Sequence, residues 1–303
     1  MGRLNVLAAT GGGIRGVALA GVLLQGILAG KVPARNPVPG HYVLMADHYD
    51  AICGDSSASL ILAMFAQGMS AETIFDILAE TEFQTLFKPF FMPWALRKNL
   101  MAVKPCRLDG MAKWIDRLAR VYRWRPLDNF FCNAWDAQNN QHVIFCESIP
   151  DWGHDHYDVM GIVFQPGAFS ELGWGTVLTR SMTLPGLIAD QARWCDGGIA
   201  GHPPVNFVPL DANLTVLNLG YPGLLPGKGD QDTGILAKAM ECYEVTASYA
   251  QRRMLEEFPN RIEINPQIYD VDSTDFAMSE DAKRAMIMRA MRNTATQWAA
   301  VQV

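Results

Sequence analysis

The stretch from Leu4 to Gly30 constrains the fold more than any other. A short apolar run, Leu4 to Ala9, leads into Thr10-Gly-Gly-Gly-Ile-Arg-Gly16, and a longer apolar run extends from Val17 to about Gly30. The first run reads as a buried strand and the second as a helix. A buried strand that turns through glycines directly into a helix is the opening of a parallel arrangement whose two faces are both covered. The rest of the chain repeats the alternation. Tyr49 to Cys53 reads as a second buried strand, Ser57 to Gln67 as an apolar helix, and Ser70 to Glu80 as a further helix with Ser70 as its N-cap. Leu108 to Tyr122 is patterned as an amphipathic helix, and Phe130 to Trp135 with His142 to Glu147 as two strands joined by a turn. Ser170 to Ile188 reads as partly helical, Leu214 to Leu219 as a strand, Thr233 to Phe258 as a long helix, Arg261 to Ile264 as a last strand and Glu280 to Ala300 as a terminal helix. Val32 to Gly40, with three prolines, reads as a connector. The expected fold is α/β: one domain over residues 1–303, three-layered, with a central mainly parallel sheet.

The bulk properties narrow the partners. A chain of 303 residues that is 50% apolar can bury a sizeable core. Its formal charge of -6 provides no basic field for a polyphosphate backbone, so nucleic acid is not expected as a partner. The six cysteines are scattered and read as reduced core residues, and no metal or organic cofactor is expected. The N-terminus shows no separable signal-peptide regions, and the longest apolar run, Val17 to Ala29, falls short of the roughly 20 residues of a membrane span. The expected location is cytoplasmic, with membrane contact at most peripheral. Residues 83–100 combine five large aromatics with two prolines and basic residues. They read as an irregular flap, either a prolyl loop over the core or a lid facing lipid.

Three segments can carry chemistry. The glycine loop contains G-x-G-x-x-G, but a dinucleotide site also needs an acid about 20 residues on, and the first carboxylate in the chain is Asp47. What Gly11, Gly12 and Gly13 supply is a run of unobstructed N–H groups beside Arg15, which suits a developing oxyanion. In "GDSSA", Gly54 and Ala58 flank Ser56 as small residues flank a nucleophile at a sharp strand-to-helix turn. Ser56 or Asp55 acting as an ordinary helix N-cap is the alternative. In "WCDGGIAGHPP", Asp196 ends an apolar segment and Gly197 and Gly198 let another backbone approach. A plain Asp-Gly turn is the alternative there.

Together, and in this order, the three segments resemble the patatin-like lipid acyl hydrolases, whose pattern is G-G-G-x-R-G, then G-x-S-x-G after a Tyr/Phe-Asp pair, then D-G-G or D-G-A. The likeness spans residues 4 to 220 and includes "SMTLPGLI" (Ser181 to Ile188) and "LTVLNLG". It implies a patatin-like α/β/α fold and a phospholipase A or lysophospholipase activity on membrane lipids. It also implies a catalytic dyad of Ser56 and Asp196, with Gly11, Gly12, Gly13 and Arg15 at the oxyanion, and it leaves the oligomeric state open. Three positions depart from the pattern: Thr10 stands where relatives have Asp, Ala58 replaces Gly, and His202 replaces Asn as a hydrogen-bonding substitute or a third catalytic residue. An α/β-hydrolase would need a histidine late in the chain, and the last one is His202. An SGNH or GDSL esterase would need a late D-x-x-H, whose only instance is Asp151 to His154 at mid-chain. A degenerate hydrolase that only binds lipid or a partner protein is the non-enzymatic alternative.

Overall fold

A computed structural model describes residues 2–89, 106–152, 161–183, 193–199, 204–220, 252–273 and 275–301. Strand β1 (Asn5–Ala9) passes through a 3-10 turn (Gly13–Val17) into helix α1 (Ala18–Leu28). The proline-rich connector expected next is instead a surface hairpin of β2 (Ala34–Val38) and β3 (His41–Leu44). Proline is tolerated on such a ribbon because one edge of each strand needs no partner. Then come β4 (Ala51–Gly54), α2 (Ser56–Ala66) and α3 (Ala71–Glu80). Ser70 caps α3 as expected, its Oγ accepting the Thr73 N–H at 3.2 Å.

The start of the flap is regular. Phe83–Leu86 form α4, and β5 (Lys88–Pro89) pairs with β6 (Cys106–Arg107); residues 90–100 lie outside the described residues. After α5 (Asp109–Val121), the expected strand pair is present as β7 (Phe130–Asp136) and β8 (Gln141–Phe145). No sequence pattern marks β9 (Ile162–Gln165), which precedes α6 (Ala168–Glu171) and α7 (Trp174–Ser181). The chain continues with β10 (Trp194–Asp196), β11 (Asn213–Leu217), β12 (Arg261–Ile264) and α8 (Glu280–Ala300). Of the helix expected over 233–258, residues 252–256 are helical and 233–251 lie outside the described residues.

Apart from the β2-β3 and β5-β6 pairs, the described strands build one sheet in the order β12-β11-β1-β4-β7-β8-β9, parallel from β12 to β7, with β10 also paired to β7. Its strands alternate strictly between two cores. Leu7, Ala9, Ile52, Phe130 and Cys132 enter one, and Val6, Ala8, Ala51, Cys53 and Phe131 enter the other. That period of two, apolar on both sides, is what a sheet covered on both faces requires. Helices α1, α2, α3, α5, α7 and α8 contribute to the first core. Trp298 of α8 is fully buried there, its Nε1 donating to Val22 O on α1 at 3.0 Å. Residues 205–212 and 255–258 cover the second face. The mixed α/β architecture with a central, mainly parallel sheet is therefore as expected.

One register detail positions the site. The first three residues of β7 pair with β4, Gly54 lying opposite Cys132, and its last three pair antiparallel with β10, Asp196 lying opposite Ala134. Because β8 occupies the other edge of β7, β4 and β10 share one edge and run toward each other. Their C-terminal ends meet head to head.

Candidate active site

Ser56 stands at the end of β4. Asp55 is extended (φ -119°) and Ser56 adopts φ 47°, the left-handed region, as the first residue of α2. Such a backbone costs on the order of 1–3 kcal/mol in a non-glycine residue and persists only when its surroundings enforce it. Gly54 is part of that enforcement, since a Cβ there would lie 2.7 Å from Ser59 Cα on the returning chain. The Ser56 N–H donates to Ser181 Oγ at 3.0 Å, and Ser59 Oγ donates to Ser56 O at 2.6 Å. Asp55 occupies the cap position of α2 but makes no cap hydrogen bond; its Oδ1 accepts the Gly11 N–H instead. Ala58 is fully buried.

The glycine loop packs against this elbow. The Gly12 N–H reaches Ser57 Oγ at 3.3 Å. Gly13 has φ 57°, and any side chain there would collide with Ser273 O, the carbonyl that accepts the Ile14 N–H at 2.9 Å. The loop is thus wedged by a segment far along the chain. Arg15 is buried and folds back, its guanidinium lying against Gly12. At the position of Thr10, the hydroxyl accepts the Leu219 N–H at 2.9 Å and so ties β1 to the end of β11.

Asp196 is 2% exposed and is held by its own turn. Its N–H donates to Thr183 O at 2.6 Å, and its Oδ1 accepts the Gly198 N–H at 2.9 Å. Burial pushes its pKa up to about 6, against a smaller pull downward from the Ser56 hydroxyl and the Gly198 N–H. The second oxygen, Oδ2, is buried without a partner of good hydrogen-bond geometry, although the Ser56 hydroxyl is close enough to act on the carboxylate. Ser56 and Asp196, 140 positions apart in the chain, therefore meet.

Behind the turn, Asn133 Nδ2 donates to Gly197 O at 3.0 Å and lies 2.9 Å from His142 Nε2, while Asn206 approaches His142 Nδ1 at 3.2 Å. Burial pushes the His142 pKa down to about 4, so the ring is neutral at physiological pH. A neutral imidazole donates at one nitrogen and accepts at the other. Since the Asn133 amide nitrogen is committed to Gly197, Nε2 accepts and Nδ1 donates, which requires the Asn206 amide oxygen to face the ring. Sequence reading missed Asn133, His142 and Ser273, and singled out Ser181 only within a longer resemblance. His202 and His154 lie outside the described residues.

Ser56 opens into an apolar cleft. Gly13 and Ser57 join it there, and its walls include Leu60, Leu78, Phe83, Met111 and Phe276. Among the described residues, neither Gly11, Gly12 nor Arg15 lines it. An apolar wall leading to the Ser56 and Ser57 hydroxyls suits a long hydrocarbon chain joined to a polar reacting centre.

No protein-family model matches this sequence, and no curated relative matches it. Among solved structures, VipD from Legionella pneumophila superposes with a TM-score of 0.54 at 10% identity, over 98% of this chain and 67% of VipD. The type III effector protein ExoU superposes with a TM-score of 0.43 at 10% identity, over 98% of this chain and 53% of ExoU, so this chain spans about half of ExoU's length. At such identity the likeness to VipD is one of fold. The patatin-like fold to which the three sequence motifs point is the fold of this chain.

Proposed function

We propose that this chain hydrolyses acyl esters of membrane lipids, as a phospholipase A or lysophospholipase, through Ser56 and Asp196. Ser56 Oγ attacks the ester carbonyl and its proton passes to Asp196. The negative charge that develops on the carbonyl oxygen is met by the amide of Gly13, which lines the cleft, with Gly12 and Arg15 packed behind it and Gly11 holding Asp55. Collapse expels the alcohol, which takes the proton back from Asp196. Water, deprotonated by the same carboxylate, then attacks the acyl carbonyl; the bond to Ser56 Oγ breaks, the fatty acid leaves and Oγ takes the proton back from Asp196. The sequence calls on no metal or organic cofactor.

The observation that carries this reading is a strained serine beside a buried aspartate whose pKa stands near 6, at the foot of an apolar cleft. An ordinary aspartate with a pKa near 3.9 is a poor acceptor for a serine proton, and burial strengthens it by roughly 100-fold. A fluorophosphonate probe should label the wild type and fail to label Ser56→Ala, whose turnover should fall on the order of 10⁴-fold or more. Mass spectrometry of mixed-lipid vesicles should show fatty acid and lysolipid with the wild type only; folded wild type that neither labels nor releases fatty acid sinks the proposal.

The Gly11 and Gly12 amides, already engaged by Asp55 and Ser57, favour a second reading, a degenerate hydrolase that binds lipid without turnover. The same labelling separates the two. An SGNH-type esterase would lose activity in His154→Ala, whereas the Ser56–Asp196 pair should keep it.

A further inference from the structure

The whole chain carries a net charge of -6, yet residues 107–125 hold six Lys or Arg against two Asp, so the rest of the chain stands at -10. Lys113, Arg117 and Arg120 recur at helical spacing along the exposed face of α5, and Arg123 and Arg125 follow, also exposed. Between them Val121 and Tyr122 are 62% and 39% exposed. Of the two acids on this helix, Asp116 accepts the Gly175 N–H at 2.8 Å, and Asp109 sits in the first turn.

Elsewhere some arginines of this acid-rich chain are paired, whereas the exposed Arg3, Arg35, Arg253, Arg261 and Arg292 stand apart from one another in the sequence and meet no carboxylate among the described residues. Arg284 meets Asp76, Glu80 and Glu280, Arg289 meets Asp270, and Arg252 meets Glu256. Among the described residues, none of the five cations at 113–125 meets a carboxylate. What sets residues 113–125 apart is the gathering of five exposed cations, none paired among the described residues, around an exposed aliphatic and an exposed aromatic residue in a chain with more acids than bases. The opposite face of the same helix walls the cleft through Met111, with Leu108 just before it. A helix with its side chains is about 10–12 Å across. Anything docked on the outer face therefore stands about one helix diameter from the pocket of Ser56.

We propose that the outer face of α5, continued through residues 122–125, docks the protein on an anionic phospholipid bilayer. The proposal deepens the lipid-hydrolase reading by naming how the cleft is brought to its substrate. Lys113, Arg117, Arg120, Arg123 and Arg125 face the acidic headgroups, and Tyr122 and Val121 enter the interface between them.

The test is co-sedimentation of the full chain with vesicles of phosphatidylcholine alone and of equal parts phosphatidylcholine and phosphatidylglycerol. The wild type should pellet with the second and stay with the supernatant of the first, and added salt should release it. The combined variant Lys113→Gln/Arg117→Gln/Arg120→Gln changes only exposed side chains. It should weaken partitioning about 100-fold, at about 1 kcal/mol per cation and about 1.4 kcal/mol per tenfold. Its Ser56 should label with fluorophosphonate as the wild type does. Ser56→Ala should sediment like the wild type, which separates docking from catalysis.

Three results overturn the proposal: equal binding to both vesicles, undiminished binding by the triple variant, or no binding to either. Retention on immobilised polyglutamate without vesicle binding would overturn it in favour of an acidic protein partner.

Discussion

Ser56 and Asp196 sit on adjoining strand ends, yet the chain secures them by different means. The serine is fixed mainly by its neighbours: the tight return past Gly54, the φ of 47° and the Ser59 hydroxyl all fall within a few positions of it. The aspartate is fixed largely from afar, by Thr183 O on its N–H and by Asn133, 64 positions from the glycine whose carbonyl it holds. In the proposed mechanism the contrast separates two tasks. A nucleophile must be aimed, which local backbone strain does well. A base must have its proton affinity raised, which at Asp196 comes from burial by distant parts of the chain. The two means meet at the end of α7, where Ser181 Oγ takes the Ser56 N–H and Thr183 O takes the Asp196 N–H.

The widest break in this contrast should come from Asp196→Asn. Turnover should fall on the order of 10³–10⁴-fold, as when a buried catalytic acid is replaced by its amide. The same change should stabilise the fold. A folded pKa near 6 against 3.8 means that the native state prefers the protonated acid. The stability this contributes is complete below pH 3.8 and is lost as pH rises through 6, a loss of about 3 kcal/mol by pH 8. Thermal melts should therefore show Asp196→Asn above the wild type at pH 8, with the gap closing toward pH 4, and a gap independent of pH would refute burial as the source of the base. Wild-type kcat/KM should correspondingly fall below about pH 6.

Gly54→Ala probes the local arm. Its Cβ would press on the Ser59 backbone, and an ångström of displacement at the nucleophile can cost about 100-fold in turnover. Stability should drop by about 1–3 kcal/mol, read by denaturant melts. His142→Phe probes the distant arm, leaving the Asn133 and Asn206 amides without their ring partner; it should cost about 1–3 kcal/mol and roughly tenfold in kcat, with the pH midpoint of activity displaced. An unmoved midpoint would leave the network a purely structural role. The smallest effect should belong to Ser181→Ala, which removes only the acceptor for the Ser56 N–H: about 1 kcal/mol of stability and a several-fold loss of kcat at unchanged KM. A change in KM alone would place Ser181 in lipid binding instead.

Much of the local arm was legible in the sequence. β1 and β4 are short apolar runs, the first followed by Thr10 and the glycine loop and the second ended by Gly54, and the spacing of Gly54, Ser56 and Ala58 follows from the steric demand of a tight turn. Asp55 was legible only as a cap or a support, because its bond to Gly11 depends on β1 and β4 pairing in register. The hairpin at 34–44 was hidden by its prolines. β9 was hidden by being four residues long and partly exposed at Val163. His142 carries no local signal, since it is one residue of an ordinary strand until the register of β7 and β8 sets it opposite Trp135 and beside Asn133. The distant arm is written in pairings, and pairings are not periodic in sequence.

The Ser273 carbonyl that receives the Ile14 N–H, and that forbids a side chain at Gly13, bears on the order in which the molecule comes together. Synthesis proceeds from the N-terminus, so the hydroxyl, the carboxylate and the glycines all exist before residue 273 has been made. Until then the loop lacks the wedge that shapes it. The glycine loop therefore reaches its final shape only when nearly all of the chain has been made.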